Sequence, residues 1–143
     1  MIKEIDKKYL EELVELKKSA WKKLEKKLGK TPDNEIKKYL NLTLKKGKLF
    51  GYFSKNKLVG CIGIVINKKE KYGEIENFFV KEEFQGKGIG KELIKFIENY
   101  ARMNKINFLK LNVRLKNTKA INFYKKRGYE KFALIMGKKI KFN

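Results

Sequence analysis

Val80-Lys81-Glu82-Glu83-Phe84-Gln85-Gly86-Lys87-Gly88-Ile89-Gly90-Lys91 is the one glycine-dense stretch of this 143-residue chain. Before it, Glu74 to Val80 reads as a strand. After it, Leu93, Ile94, Phe96, Ile97, Tyr100 and Ala101 share the apolar face of a helix. A strand therefore runs through a tight loop into a helix. Glycine lets such a loop turn sharply and brings peptide N–H groups close to a ligand, with no Cβ in the way. N–H groups at a helix N-terminus lack intrahelical partners and suit a phosphate. Neither common nucleotide motif fits. A dinucleotide fingerprint requires a third glycine where Lys91 stands, and a P-loop requires Ser or Thr where Glu92 follows Gly90-Lys91. Taken alone, the loop is equally a turn that caps an ordinary helix.

Working outward, Met1 to Ile5 alternates as a short strand. Leu10, Leu13, Val14, Leu16, Trp21, Leu24 and Leu28 predict an amphipathic helix over Lys7–Leu28, ended by Gly29. Thr31-Pro32-Asp33 reads as a cap followed by proline in the first turn of a second helix, which runs to Lys46 and stops at Gly47. Lys48–Phe53 and Leu58–Asn67 are strands separated by the hairpin signal Ser54-Lys55-Asn56-Lys57. Ile106–Val113 predicts a strand and Asn117–Arg127 a helix closed by Gly128. Tyr129–Ile135 and Met136–Phe142 predict two closing strands. The order gives an α/β domain with about seven strands and about four helices, on both faces of a mixed sheet. With no repeat or linker, residues 1–143 read as a single domain.

Composition sets bounds on the chemistry. Hydrophobic residues make up 42% of the chain, enough for a core, and no run approaches the ~20 apolar residues of a membrane span. The first residues lack the apolar centre of a secretory signal, and the lone Cys61 suits a reducing compartment, so the expectation is a cytoplasmic protein. Histidine is absent, which excludes a histidine base and a Cys/His zinc site. Cys61 lies in the apolar run Gly60-Cys61-Ile62-Gly63-Ile64 and reads as a small core residue. The net charge of +21 is spread along the whole chain, and only Arg102, Arg114 and Arg127 are arginines. Base readout and bidentate phosphate binding favour arginine, so this excess reads as a solvated lysine coat and nucleic acid is not the expected partner.

Two motifs together carry a resemblance. Gln85-x-x-Gly88-x-Gly90 resembles the Q/R-x-x-G-x-G/A signature of the GNAT superfamily, the acyl-CoA-dependent N-acyltransferases. The preceding Ile75-Glu76-Asn77-Phe78-Phe79-Val80 is similar to that family's fourth strand. Asn117, Ala120, Tyr124 and Gly128-Tyr129 match its second acyl-CoA element. The matching residues run from Glu74 to Tyr129, and the order of the remaining elements suits the family.

The resemblance implies a GNAT fold, with a mixed and mostly antiparallel sheet, and an enzyme that moves an acetyl group from acetyl-CoA to an amine without a metal. It implies that backbone N–H groups of Gly86, Lys87, Gly88, Ile89, Gly90 and Lys91 hold the coenzyme A pyrophosphate, with Gln85 starting the turn. The pantetheine arm would pair with Phe78, Phe79 and Val80, and an N–H near Phe78 would face the thioester oxygen. Asn117 would contact the coenzyme and is equally the N-cap of its helix. Tyr124 would protonate the leaving thiolate. A lysine-like amine has a pKa of about 10.4 and needs a base; Glu76, with Glu74 in reserve, lies on one strand face for that role. The Ile75–Val80 run looks most like polyamine acetyltransferases. Ribosomal-type N-terminal acetyltransferases carry a glutamate twelve residues before the tyrosine, where this chain has Asn112. The acceptor is left as a small molecule, a polyamine or a protein amine. The first two helices would line the acceptor side, with Trp21, Tyr39 and Phe50 as contacts or as core. Relatives that dimerise make a homodimer compatible with the family. Two other readings fit the same residues, a GNAT-fold acyl-CoA sensor without turnover and a basic nucleic-acid module.

Overall fold

A computed structural model describes residues 1–143, the side chain of Lys27 excepted, as two units, residues 1–112 and 113–143. In the first, β1 (Ile2–Ile5), β2 (Lys48–Ser54), β3 (Lys57–Asn67), β4 (Tyr72–Val80) and β5 (Phe108–Lys110) form one sheet in the order β1-β2-β3-β4-β5. The first four strands pair antiparallel, and β5 runs parallel to β4. The β2–β3 turn places both Lys55 and Asn56 at positive φ, the geometry that matches the twist of a two-residue hairpin.

Helices α1 (Leu10–Ala20) and α3 (Asp33–Lys46) cover one face of this sheet, and the single turn α2 (Glu25–Leu28) lies between them in sequence. Leu13, Val14 and Leu16 of α1 and Ile36 and Leu40 of α3 are buried in one cluster with Ile5, Leu49, Leu58, Cys61 and Phe79 of the strands. Helix α4 (Ile89–Met103) packs on β3 and β4. Its Ile89, Leu93, Ile94, Ile97 and Ala101 are buried, and Phe96 and Tyr100 meet the Phe50 ring edge-on. Phe50, only 5% exposed, is therefore core and not an acceptor contact.

The first predicted helix is not continuous. The apolar repeat makes a five-residue step from Leu16 to Trp21, and the half-buried Lys17 fills that gap with its ammonium 4.8 Å from the Trp21 ring. Burial lowers the Lys17 pKa. The chain leaves the helix after Ala20, whose carbonyl accepts from Gln85 Nε2. The α3 helix runs over Asp33–Lys46, with Pro32 rather than Thr31 at the cap and its carbonyl accepting from the Glu35 and Ile36 amides.

The predicted strand Ile106–Val113 shortens to Phe108–Lys110, because its ladder reaches only Tyr72, Gly73 and Glu74, before β4 bulges. In the second unit, α5 (Thr118–Lys125) is capped by Asn117, whose Oδ1 accepts from the Ala120 amide. The expected strands Tyr129–Ile135 and Met136–Phe142 have no strand pairing, so the sheet has five strands and not seven. Alternation says which side chains share a face, whereas a ladder partner makes a strand. Phe132, Ile135, Met136 and Phe142 are exposed. Among the described residues, no helix is long and apolar enough to cross a membrane.

Leu40 is fully buried between α3 and the sheet. Leu40→Ala is expected to lower unfolding stability by about 2–5 kcal/mol, read as a lower urea midpoint at unchanged slope.

Candidate functional site

Three local events at the end of β4 assemble the site in the first unit. The chain leaves Val80 with the Lys81 amide on the Val59 carbonyl and makes one 3-10 turn, Glu82–Phe84. Gln85 then folds back, donating Nε2 to the Val80 carbonyl at 2.8 Å and to the Ala20 carbonyl at 3.4 Å. The Glu82 amide donates to Ser19 Oγ at 3.4 Å. Gln85 therefore ties the loop to the C-terminal end of α1 with its side chain. Ser19 and Ala20 carry no local signal of this role, since neither belongs to a motif.

Gly86 and Gly88 have φ of +77° and +86°, a region that costs any L-residue with a Cβ on the order of 1–2 kcal/mol. Added Cβ atoms there would meet open space, so backbone conformation, not crowding, calls for these glycines. Gly88 caps α4, and its carbonyl accepts from the Glu92 amide. Among the described residues, the amides of Gly86, Lys87, Gly88, Ile89, Gly90 and Lys91 have no acceptor within the protein. Gly86 to Gly88 and Lys91 are exposed. Six successive donors at a helix N-terminus, where the dipole is positive, form a receptor for anionic oxygen.

The second event is a bulge. Register passes from Cys61↔Phe79 to Gly63↔Glu76, so Asn77 and Phe78 together face Ile62, and Asn77 takes φ +50°. Cys61 Sγ donates to the Asn77 carbonyl at 3.0 Å, and burial pushes this thiol's pKa up. The thiol is a core group and stays protonated, which rules out an activated nucleophile.

The third event separates the two candidate carboxylates. Glu74 and Glu76 lie two residues apart on one face of β4, as alternation predicts. Glu74 lines an open concavity of about 480 Å³ with Val65, Ile66, Asn67, Lys68 and Tyr72. The exposed Asn112 holds its Nδ2 3.5 Å from Glu74 Oε2. Glu76 turns to α3, where Oε2 accepts from Thr43 Oγ1 at 2.7 Å. Thr43 is 0% exposed, and it escaped the motif reading. Its signal was available, because Ile36, Leu40 and Thr43 follow at helical spacing and place a hydroxyl on an apolar stripe. Trp21 is half-buried against the core, and Tyr39 is 52% exposed on α3.

In the second unit, the caps described above set Asn117 at the start of α5. Tyr124 packs edge-on against Phe123 and Tyr129, and its carbonyl accepts from the Tyr129 amide. Burial pushes the Tyr124 phenol up to about 12. It is a neutral proton donor throughout the physiological range.

The acetyltransferase (GNAT) family profile matches residues 10–129, from α1 through the Gly128-Tyr129 pair. The chain belongs to that family. An uncharacterized N-acetyltransferase of Methanocaldococcus jannaschii is 35% identical over 77 residues, covering 54% of this chain and 34% of that protein. The spermine/spermidine N(1)-acetyltransferase of Bacillus subtilis is 33% identical over 57 residues, covering 39% of this chain and 38% of the relative. The chain thus spans little more than a third of the length of these two relatives. The aminoglycoside N-acetyltransferase AAC(6')-Iy, solved in complex with CoA, superposes with a TM-score of 0.74 at 16% identity, over 99% of this chain and 95% of that one. The architecture is the GNAT fold, and structures sharing it bind coenzyme A.

Tyr124 has its folded pKa above the unfolded value of about 10. Its contribution to stability is therefore complete below about pH 10 and is lost as pH rises toward about 12. Urea unfolding at pH 9 and pH 11 is expected to show a larger alkaline loss in the parent than in Tyr124→Phe.

Proposed function

We propose that this GNAT chain transfers an acetyl group from acetyl-CoA to a primary amine, by direct attack within a ternary complex. The observation that carries the reading is the run of six acceptor-free amides from Gly86 to Lys91, which suits the diphosphate of coenzyme A. Gln85 sets that loop through its bond to Val80. The ladder to β5 covers β4 only at Tyr72–Glu74, which supports an extended pantetheine arm lying along Phe78, Phe79 and Val80. Asn117 serves as cap and coenzyme contact. The family profile spans both units, which supports one domain over residues 1–143. We assign the reaction to the cytoplasm, where a lone thiol such as Cys61 stays reduced.

In the reaction, Glu76 takes a proton from the acceptor ammonium, directly or through water, and the freed nitrogen attacks the thioester carbon. A backbone amide at Phe78 stabilises the oxyanion. The C–S bond then breaks as the nitrogen gives up its second proton to water, Tyr124 gives its proton to the departing thiolate and is reprotonated from water, and N-acetylamine and free coenzyme leave. Burial keeps the Tyr124 proton available at neutral pH. Glu74 is the reserve base and, with Glu76, places two negative groups on the acceptor face. A cationic amine is the acceptor class that this pair attracts. The spermine/spermidine and aminoglycoside specificities of the relatives fall in that class.

Gly88→Asp puts a carboxylate and a strained φ into the amide run. It is expected to weaken acetyl-CoA binding by roughly a hundredfold in calorimetry, while Gly29→Ala, also at positive φ with open space around it, leaves binding intact. Thiol release with spermidine, kanamycin and a lysine peptide identifies the acceptor. Tyr124→Phe and Glu76→Gln are each expected to cut kcat by about 10²-fold or more, with the acetyl-CoA Kd within twofold. Acetyl-CoA binding with no thiol release from any amine would instead assign a sensor.

A further inference from the structure

The bulge and the carboxylate of the site share one side chain that neither motif contains. Thr43 Oγ1 accepts from Asn77 Nδ2 at 2.7 Å and stands 2.7 Å from Glu76 Oε2 and 3.3 Å from the Tyr39 carbonyl. A hydroxyl has one proton. The 2.7 Å contact to an anionic oxygen is the length of a charge-assisted bond, so that proton points at Glu76. The result is a directional chain from the Asn77 amide through the Thr43 hydroxyl to the Glu76 carboxylate. It is buried at its centre, where Thr43 is fully enclosed.

The approach depends on Gly63 of β3. A Cβ at that position would lie 2.8 Å from Thr43 Cγ2 and 2.9 Å from the Glu76 carbonyl. Only a bare backbone allows α3 to lower a threonine onto the strands at this point. Of the three groups in the chain, Asn77 is the residue in the left-handed conformation that makes the bulge, and Glu76 is its neighbour. One hydroxyl thus fixes both the backbone turn before Phe78 and the direction of a carboxylate.

We propose that Thr43 is a positioning residue for acyl transfer, aiming Glu76 and pinning the Asn77 bulge from the acceptor-side helix α3. Thr43 holds Oε2 of Glu76, so Oε1 is the oxygen turned to the acceptor amine or its water. Holding Asn77 also sets the peptide plane that presents the Phe78 amide. The inference rests on the proposed role of Glu76, and it adds a constraint on α3: movement of that helix misaligns the base and the oxyanion donor together.

The test compares Thr43→Val, which keeps the shape and removes the hydroxyl, with Thr43→Ser, which keeps the hydroxyl. Rates are taken with acetyl-CoA and whichever of spermidine, kanamycin and lysine peptide the parent turns over fastest. Val is expected to lower kcat/KM for the amine roughly tenfold to a hundredfold with KM for acetyl-CoA within twofold, and Ser to recover most of that loss. A second readout needs no acceptor. In ¹⁵N-¹H spectra, the shift of the Phe78 backbone amide on adding acetyl-CoA is expected to be retained in Ser and lost in Val. Val at parental rate with a parental Phe78 response overturns the inference. So does an equal loss in Val and Ser that follows their melting temperatures. Glu76→Gln separates the two failures: an active Gln variant overturns Glu76 as base, whereas an inactive Gln beside a fully active Val overturns Thr43 alone.

Discussion

Peptide donors at a helix N-terminus have no intrahelical acceptor, and the stretch from Gly86 to Lys91 presents six for which the protein itself supplies none. Residues on both sides of the loop fix its place. Gly86 and Gly88 at positive φ turn the backbone before α4 begins, and Gln85 closes the turn by reaching back to Val80 and Ala20. Helix α4 is held by its buried Ile89, Leu93, Ile94, Ile97 and Ala101. Its N-terminus therefore sits at a fixed place beside the end of β4, and its dipole adds to the local donors. In the proposed reaction, the diphosphate of coenzyme A would bring charge to these donors.

The bulge at Asn77 is the second constraint and follows from a different kind of residue. A left-handed Asn in mid-strand is uncommon and costs energy unless its surroundings hold it. Here the Asn77 carbonyl accepts from the Cys61 thiol and its side-chain amide donates to Thr43. Both partners are fully buried, so they move only if the core does. The β4–β5 ladder stops at Glu74, before the bulge at Asn77 and Phe78. Cys61 thus has a task that its place in an apolar run concealed: it is a weak donor to a strained carbonyl, not a nucleophile.

What the sequence made legible follows from how local each feature is. The glycine loop, the Asn117 cap, the hairpin at Ser54–Lys57 and the apolar stripe of α4 are each set by residues within one or two turns, and all are found where local rules put them. Features set by distant partners were not legible. The first helix ends at Ala20, and the carbonyl there accepts from Gln85, sixty-five residues later. Thr43 looked like an ordinary helix residue because Glu76 and Asn77 are more than thirty positions away. The run from Tyr129 to Phe142 carries the apolar content of strands, yet pairing depends on a ladder partner that local composition cannot supply. In the site itself, spacing placed Glu74 and Glu76 on one face, but only the packing of α3 distinguishes the carboxylate held by Thr43 from the one beside an open concavity.

The net charge of +21 bears on both proposed substrates with opposite sign. A field of that size draws in a polyanion such as coenzyme A and raises its encounter rate, an effect that salt screens within about 10 Å at 0.1 M. The same field opposes a cationic amine, so discrimination must come from groups closer to the acceptor than one screening length. Glu74 and Glu76 meet that need from adjacent positions on one face of β4. Ion pairs of the lysine coat, such as Lys37 with Glu11 and Lys48 with Glu4, lie at exposed side chains and neutralise charge locally. For the proposed reaction, a lysine-rich exterior and a two-carboxylate acceptor face are therefore compatible: the first would act at long range on the anionic donor, the second at contact on the amine. In the proposed reaction that division depends on the aim of Glu76, whose Oε2 is held by one buried hydroxyl on α3.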